Sequence, residues 1–161
     1  MLKWQCQSFS ELSAQKLYAL MSLRQQVFVV EQACAYQDAD NFDQEALHLF
    51  ATDSDTLVAY CRLLAPGKKY TEPSIGRVCT AQSHRGLGMG RELMTRALQQ
   101  MEFSYPGQAV RISAQLYLQE FYESLGFRTT SAPYDEDGIL HIDMLSERSS
   151  ELSSERSSKL Q

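Results

Sequence analysis

Leu2, Trp4 and Cys6 alternate with Lys3 and Gln5 at the start of the chain, a period of two that predicts a strand with one buried face. The period then changes. From about Glu11 into residues 27–30, Leu12, Leu17, Leu20, Met21, Leu23, Val27 and Phe28 recur at roughly helical spacing, with Ser10 placed to cap the helix. A polar, irregular stretch runs from Gln32 to about Glu45. Residues 46–51 and 57–64 predict two strands, with Asp53-Ser54-Asp55 as a hairpin turn between them. Pro66, Gly67 and Pro73 interrupt the pattern before a short strand at residues 74–80.

A glycine-rich turn, Arg85-Gly86-Leu87-Gly88-Met89-Gly90, then leads into a helix carrying Leu93, Met94, Ala97, Leu98 and Met101 on one face. Residues 109–114 predict a strand, 118–125 a helix, and Phe127 and 139–145 the last strands, turned by Asp135-Glu136-Asp137-Gly138. The order β-α-β-β-β-α-β-α-β-β is that of a mixed α/β domain over residues 1–145. Residues 146–161 differ in kind. Ser149-Ser150-Glu151-Leu152 and its repeats offer too little apolar area to offset the entropy of ordering, so a mobile tail is expected there.

With 161 residues the chain suits one domain. No apolar run is long enough to span a membrane, and the first residues lack a secretory signal. Cys6, Cys34, Cys61 and Cys79 lie far apart without a CxxC pair, which argues against a structural metal site and a disulfide framework and favours the reduced cytoplasm. A net charge of −5 lacks the basic footprint of a nucleic-acid binder.

Strand, glycine turn and helix start together make an anion site, because the first helical N–H groups lack partners and glycine lets the backbone approach closely. The spacing selects among nucleotides. No lysine follows the glycines as a Walker loop requires, and the Rossmann spacing from Gly86 ends on Arg91. What fits is [Q/R]xxGx[G/A], as Arg85-x-x-Gly88-x-Gly90. Some thirty residues later stands Phe121-Tyr122-Glu123-Ser124-Leu125-Gly126-Phe127.

These two motifs, in this order, resemble the coenzyme A loop and the FYxxxGF segment of the GNAT (GCN5-related N-acetyltransferase) superfamily. Leu23-Arg24-Gln25-Gln26-Val27-Phe28-Val29-Val30-Glu31-Gln32, Gly76-Arg77-Val78, Ala114-Gln115-Leu116-Tyr117-Leu118-Gln119 and Glu136-Asp137-Gly138-Ile139-Leu140-His141-Ile142 extend the likeness to the ElaA-type subgroup. Leu140 departs from it, standing where proline is expected. The resemblance implies a central mixed, largely antiparallel, twisted sheet of six to seven strands flanked by helices. It also implies an acyltransferase that moves the acetyl group of acetyl-CoA to a primary amine.

Carried over by position, it assigns the pantetheine to the backbone around Val78, Cys79 and Thr80, and the pyrophosphate to Arg85, Gly86, Leu87, Gly88, Met89, Gly90 and Arg91. Gln115 falls near the coenzyme, and Tyr122 would act as general acid toward the departing thiolate. The acceptor side is less defined. An amine of pKa about 10.4 costs roughly 4.6 kcal/mol to present neutral at pH 7, so the site needs a base. Residues 75–80 hold no carboxylate, which leaves Glu31, His141 and His48 as candidates. Phe28, Glu31 and Asp38 are candidate acceptor contacts, and the acids at 31–45 and 135–137 would draw cationic amines. No metal is expected, and a homodimer is an arrangement the sequence leaves open. Three rival readings are a non-catalytic acyl-CoA-binding module, an enzyme like the acyl-homoserine lactone synthases, and an interaction protein whose glycine loop is only a turn.

Overall fold

The computed structural model describes residues 1–147. At one edge β1 (Leu2–Ser8) runs antiparallel to β2 (Leu47–Asp53), which pairs with β3 (Thr56–Leu64). Ser54 and Asp55 between them both take positive φ, 48° and 69°, the two-residue turn whose twist suits a hairpin. Next comes β4 (Ser74–Thr80), antiparallel to β3. Then β5 (Arg111–Gln115) lies parallel to β4 through one residue pair alone, Ser74 with Arg111. Past that pair the two strands part, and the sheet opens.

The far side is built on β8 (Ile139–Ser146), antiparallel to β5 and also to the short strands β6 (Phe127–Thr129) and β7 (Tyr134–Glu136). The sheet thus has eight strands, in the order β1-β2-β3-β4-β5-β8-β6 with β7 also on β8. The strand beyond the expected six or seven is β7, folded back by Asp137 and Gly138 at φ 53° and 83°.

Helix α1 (Ala14–Gln25) covers one face of the sheet and α2 (Met89–Ser104) the other. The period of two divides the strand residues between them. Ala59, Cys61 and Leu63 join Leu93, Met94, Ala97 and Met101 of α2, with Ile112, Ala114, Ile142 and Met144 from beyond the opening. Tyr60, Phe50 and Cys79 meet Leu20, Leu23 and Val27 on the α1 side.

Several boundaries differ from the sequence pattern. Ser13 rather than Ser10 caps α1, its Oγ accepting the Lys16 N–H at 3.0 Å. Phe9–Glu11 forms a separate 3₁₀ turn, and extended Leu12 keeps it apart from the helix. Past Gln25 the helix widens into a π-helical run, Gln26–Glu31. The expected helix at 118–125 is shorter: a 3₁₀ turn (Leu116–Leu118) and then α3 (Gln119–Glu123). At the C-terminal end, Ser146 belongs to the domain. It is buried, its N–H donates to Val110 O at 2.9 Å, and its Oγ accepts from Val110 N at 2.8 Å. The rest of the serine-rich tail, from Arg148, lies outside the described residues. Among the described residues no helix is long and apolar enough to cross a membrane.

Candidate active site

The opening between β4 and β5 is edged by backbone. Tyr60 pairs with Cys79 but Arg62 with Gly76, so Arg77 and Val78 together oppose Cys61, a β-bulge with Arg77 at φ 52°. Ala81 N–H donates to Val58 O at 2.8 Å, which turns the backbone of residues 79 and 81 toward β3. By alternation, the N–H and C=O groups of Val78 and Thr80 face the opening, where β5 has moved out of reach. Cys79 is oriented the other way. Its backbone faces β3, its side chain lies in the α1-side cluster, and burial pushes its thiol up to about 12.

Beyond Thr80 the chain reaches the glycine turn. Gly86 and Gly88 adopt φ 79° and 76°, a region costly for residues with a Cβ. Gly88 caps α2 without any side-chain hydrogen bond, and the first intrahelical donor is Glu92, 3.0 Å from Gly88 O. The N–H groups of Met89, Gly90 and Arg91 therefore have no acceptor within the helix, at its positive end. A Cβ on Gly90 would sit 3.7 Å from Phe121 Cζ, so the turn packs against α3. Leu87 stands exposed at the tip. The two arginines are already engaged. Arg91 donates to Ser124 Oγ at 2.8 Å and lies over the Phe121 ring, while Arg85 reaches Glu31 and the carbonyl of Thr80.

Tyr122, on α3, is buried edge-on between Phe121 and Phe127. Burial, and then the neighbouring Cys61 and Tyr117, push its phenol above the ordinary range. The group stays protonated at neutral pH, so it can serve as a hydrogen-bond or proton donor and not as a base. Cys61 is the residue opposite the β4 bulge, which ties the phenol to that end of the opening.

Across the opening, Gln115, His141 and Tyr134 form a row over β5, β8 and β7. His141 Nδ1 lies 2.8 Å from Ile139 O, and a carbonyl only accepts, so Nδ1 carries a proton and Nε2 is the nitrogen left to exchange one. Glu136 Oε2 is 3.5 Å from Nε2, and the Tyr134 ring stacks on the imidazole. Tyr134 is itself held by Ser113 and, at 2.7 Å, by Asp143. Tyr134 escaped the sequence reading, which took Glu136 only as one of the acids at 135–137 that would draw cationic amines. The alternation that puts His141 and Asp143 on one face of β8 pointed to them, but the partner strand β7 was not recognised. Gln115 and Gln32 exchange amide hydrogen bonds of 3.1 Å, so the end of the π-helical run also touches this side.

The other candidates lie elsewhere. His48 is fully buried: its Nε2–H donates to Asp43 O at 2.9 Å and its Nδ1 accepts from Tyr60 at 2.7 Å, which leaves no nitrogen for a substrate. Burial pushes its pKa down. Phe28 packs against the α1-side cluster. Asp38 is buried among arginines, accepting from Arg24 Nε at 2.8 Å and facing Arg77 Nε at 2.9 Å. Asp43 accepts from Arg24 and Arg62 at 2.7 and 3.0 Å, and Arg62 chelates Asp40 at 2.7 and 2.8 Å. Three of the acids read as an attractive mouth are thus spent on three guanidinium groups. They clamp the loop before β2 to α1, β3 and the β4 bulge.

Comparison with known proteins accords with this geometry. A profile of the acetyltransferase (GNAT) domain matches residues 9–148. The chain belongs to the GNAT family. Within it, protein ElaA of Escherichia coli is 42% identical over 149 residues, 91% of this chain and 97% of that protein. A UPF0039 protein of Synechocystis is 44% identical over 145 residues, covering 89% and 94%. The crystal structure of an acyl-CoA N-acyltransferase from Pseudomonas aeruginosa, 42% identical, superposes with a TM-score of 0.87 over 91% of this chain and 99% of that one. That of E. coli ElaA gives 0.86 over 91% and 100%. This GNAT chain is therefore an acyltransferase of the ElaA-type subgroup, in a family that uses acyl-CoA as co-substrate. Among the described residues no cluster suited to a metal ion occurs.

Proposed function

We propose that the chain transfers the acetyl group of acetyl-CoA directly to a primary amine, on a small cationic molecule or a protein. The observation that carries this is the edge of β4 at Val78 and Thr80, which β5 leaves uncovered, leading on to the glycine turn at the start of α2. A pantetheine arm fits such an edge as an added strand, and a diphosphate fits the free N–H groups of Met89, Gly90 and Arg91.

On the acceptor side His141 is the better base. Ile139 holds its Nδ1, and Glu136 beside Nε2 stabilises the imidazolium that forms when a proton arrives. The amine nitrogen then bonds to the thioester carbonyl carbon as the C–S bond breaks, and the thiolate takes a proton from Tyr122. With residues 38, 40 and 43 neutralised, the pull on a cationic amine falls to Glu136 and its neighbours Asp135 and Asp137. The buried thiol of Cys79 supports direct transfer over an acyl-cysteine intermediate. Four free cysteines support a place in the reducing cytoplasm.

The test is calorimetric titration with acetyl-CoA, then release of free thiol across a panel of amines. No binding at millimolar coenzyme would refute the proposal. Binding without turnover on any amine would favour a non-catalytic acyl-CoA-binding module, against which the buried, protonated Tyr122 argues.

A further inference from the structure

Glu31 and Gln32, consecutive at the end of the π-helical run, are tied to opposite banks of the opening. Glu31 Oε2 lies 2.7 Å from Arg85 Nη2, beyond β4, and Gln32 bonds to Gln115, the last residue of β5. Arg85 is held twice over: besides Glu31, its Nε and Nη2 donate to Thr80 O at 3.2 and 2.8 Å. Two groups that a coenzyme would use, a cation beside the glycine turn and an outward carbonyl on the β4 edge, thus satisfy each other.

We infer that Glu31 is an internal competitor of the coenzyme's diphosphate for Arg85, and that coenzyme binding exchanges one partner for the other. The inference rests on the coenzyme site proposed above. A diphosphate offers more charge and more oxygens than one carboxylate, and guanidinium binds such oxyanions in pairs. The pair it displaces is a poor rival. Arg85 is 41% and Glu31 22% exposed in their side chains, and ion pairs open to water are weak. The same swing of Arg85 releases Thr80 O, which can then accept an amide N–H of the pantetheine arm. One side chain thereby prepares both parts of the binding surface, and Glu31 sets how readily it moves.

The experiment titrates CoA and pantetheine, which lacks the diphosphate, into the full chain and its Glu31→Gln, Arg85→Ala and doubly substituted forms. Glu31→Gln should tighten CoA binding about 3- to 10-fold, the scale of a weak ion pair. It should change pantetheine binding far less, and its gain should vanish in the Arg85→Ala background. Pantetheine also reports whether each variant keeps its fold. CoA binding that Glu31→Gln leaves unchanged or weakens, or an equal gain for pantetheine, would overturn the exchange while the coenzyme site stands. Failure of the unsubstituted chain to bind CoA at all would overturn both.

Discussion

His141 Nδ1 sits 2.8 Å from the carbonyl oxygen of Ile139, two residues earlier on the same strand, and that contact decides which ring nitrogen is basic. Nε2 is left facing Glu136. His141→Gln should therefore lower kcat about 100-fold, the low end for general base catalysis, while coenzyme affinity stays within twofold. Raising the pH should partly restore the rate of the variant, because the amine then loses its proton unaided. A variant as active as the parent at pH 7 would move the base elsewhere.

Tyr122 is expected to behave as a proton donor rather than as a binding group. Replacing it by Phe keeps the ring packed edge-on between Phe121 and Phe127 and removes only the hydroxyl. Thiol release should drop about 10²-fold with little change in melting temperature. An undiminished rate with the variant would leave the thiolate to be protonated by water.

The arginine–aspartate clamp should reveal itself in acid. Burial raises the Asp43 carboxyl, but the hydrogen bonds and charges of Arg24 and Arg62 outweigh it, and its pKa ends below the ordinary value. Asp40 is likewise held far down by Arg62 and Arg77 against the effect of burial. Groups depressed by folding stabilise the native state fully above the unfolded pKa of about 3.9, and that contribution fades as pH falls through the folded value. Stability measured by denaturant titration should thus decline below about pH 4. Asp43→Ala, which takes one of two carboxylate partners from each of the buried Arg24 and Arg62, should cost about 3 kcal/mol at neutral pH and flatten the acid dependence. An equally steep acid decline in the variant would place the responsible carboxylates elsewhere.

Gly88, at φ 76° with open space around the missing Cβ, separates conformational cost from steric cost. Gly88→Ala should destabilise the chain by about 1 kcal/mol and shift the first turn of α2. Coenzyme affinity should fall by more than that strain alone explains, as the N–H groups lose their common aim. Isothermal titration beside thermal melting would distinguish the two effects.

How much of this could be read beforehand depended on whether the signal was local. The glycine turn, the hairpin at residues 54–55 and most strands followed from period and turn chemistry, which a short window contains, whereas Asp135 and Glu136, read as turn residues, lie in β7. The fate of Asp38, Asp40 and Asp43 did not, because Arg62 and Arg77 reach them from strands far along the chain. A run of acids looks the same whether solvated or clamped. His48 misled for a related reason, since Tyr60, its partner, faces it only through the β2–β3 register. The π-helical widening at residues 26–31 has no counterpart in a search for period 3.6, so the neighbours it gives Glu31 and Gln32 went unseen.

The bulge at Arg77 carries a consequence for heredity as well as for shape. The groups that Val78 and Thr80 present to the opening are main-chain groups, which every residue but proline supplies in full, so point substitutions there change what surrounds the contact rather than the contact itself. Their vulnerability is to counting. Deleting one residue between Gly76 and Cys79 would remove the bulge, turn the backbone donors away from the opening and bring a side chain to the wrong face of the sheet. At this edge, insertions and deletions are the mutations that matter.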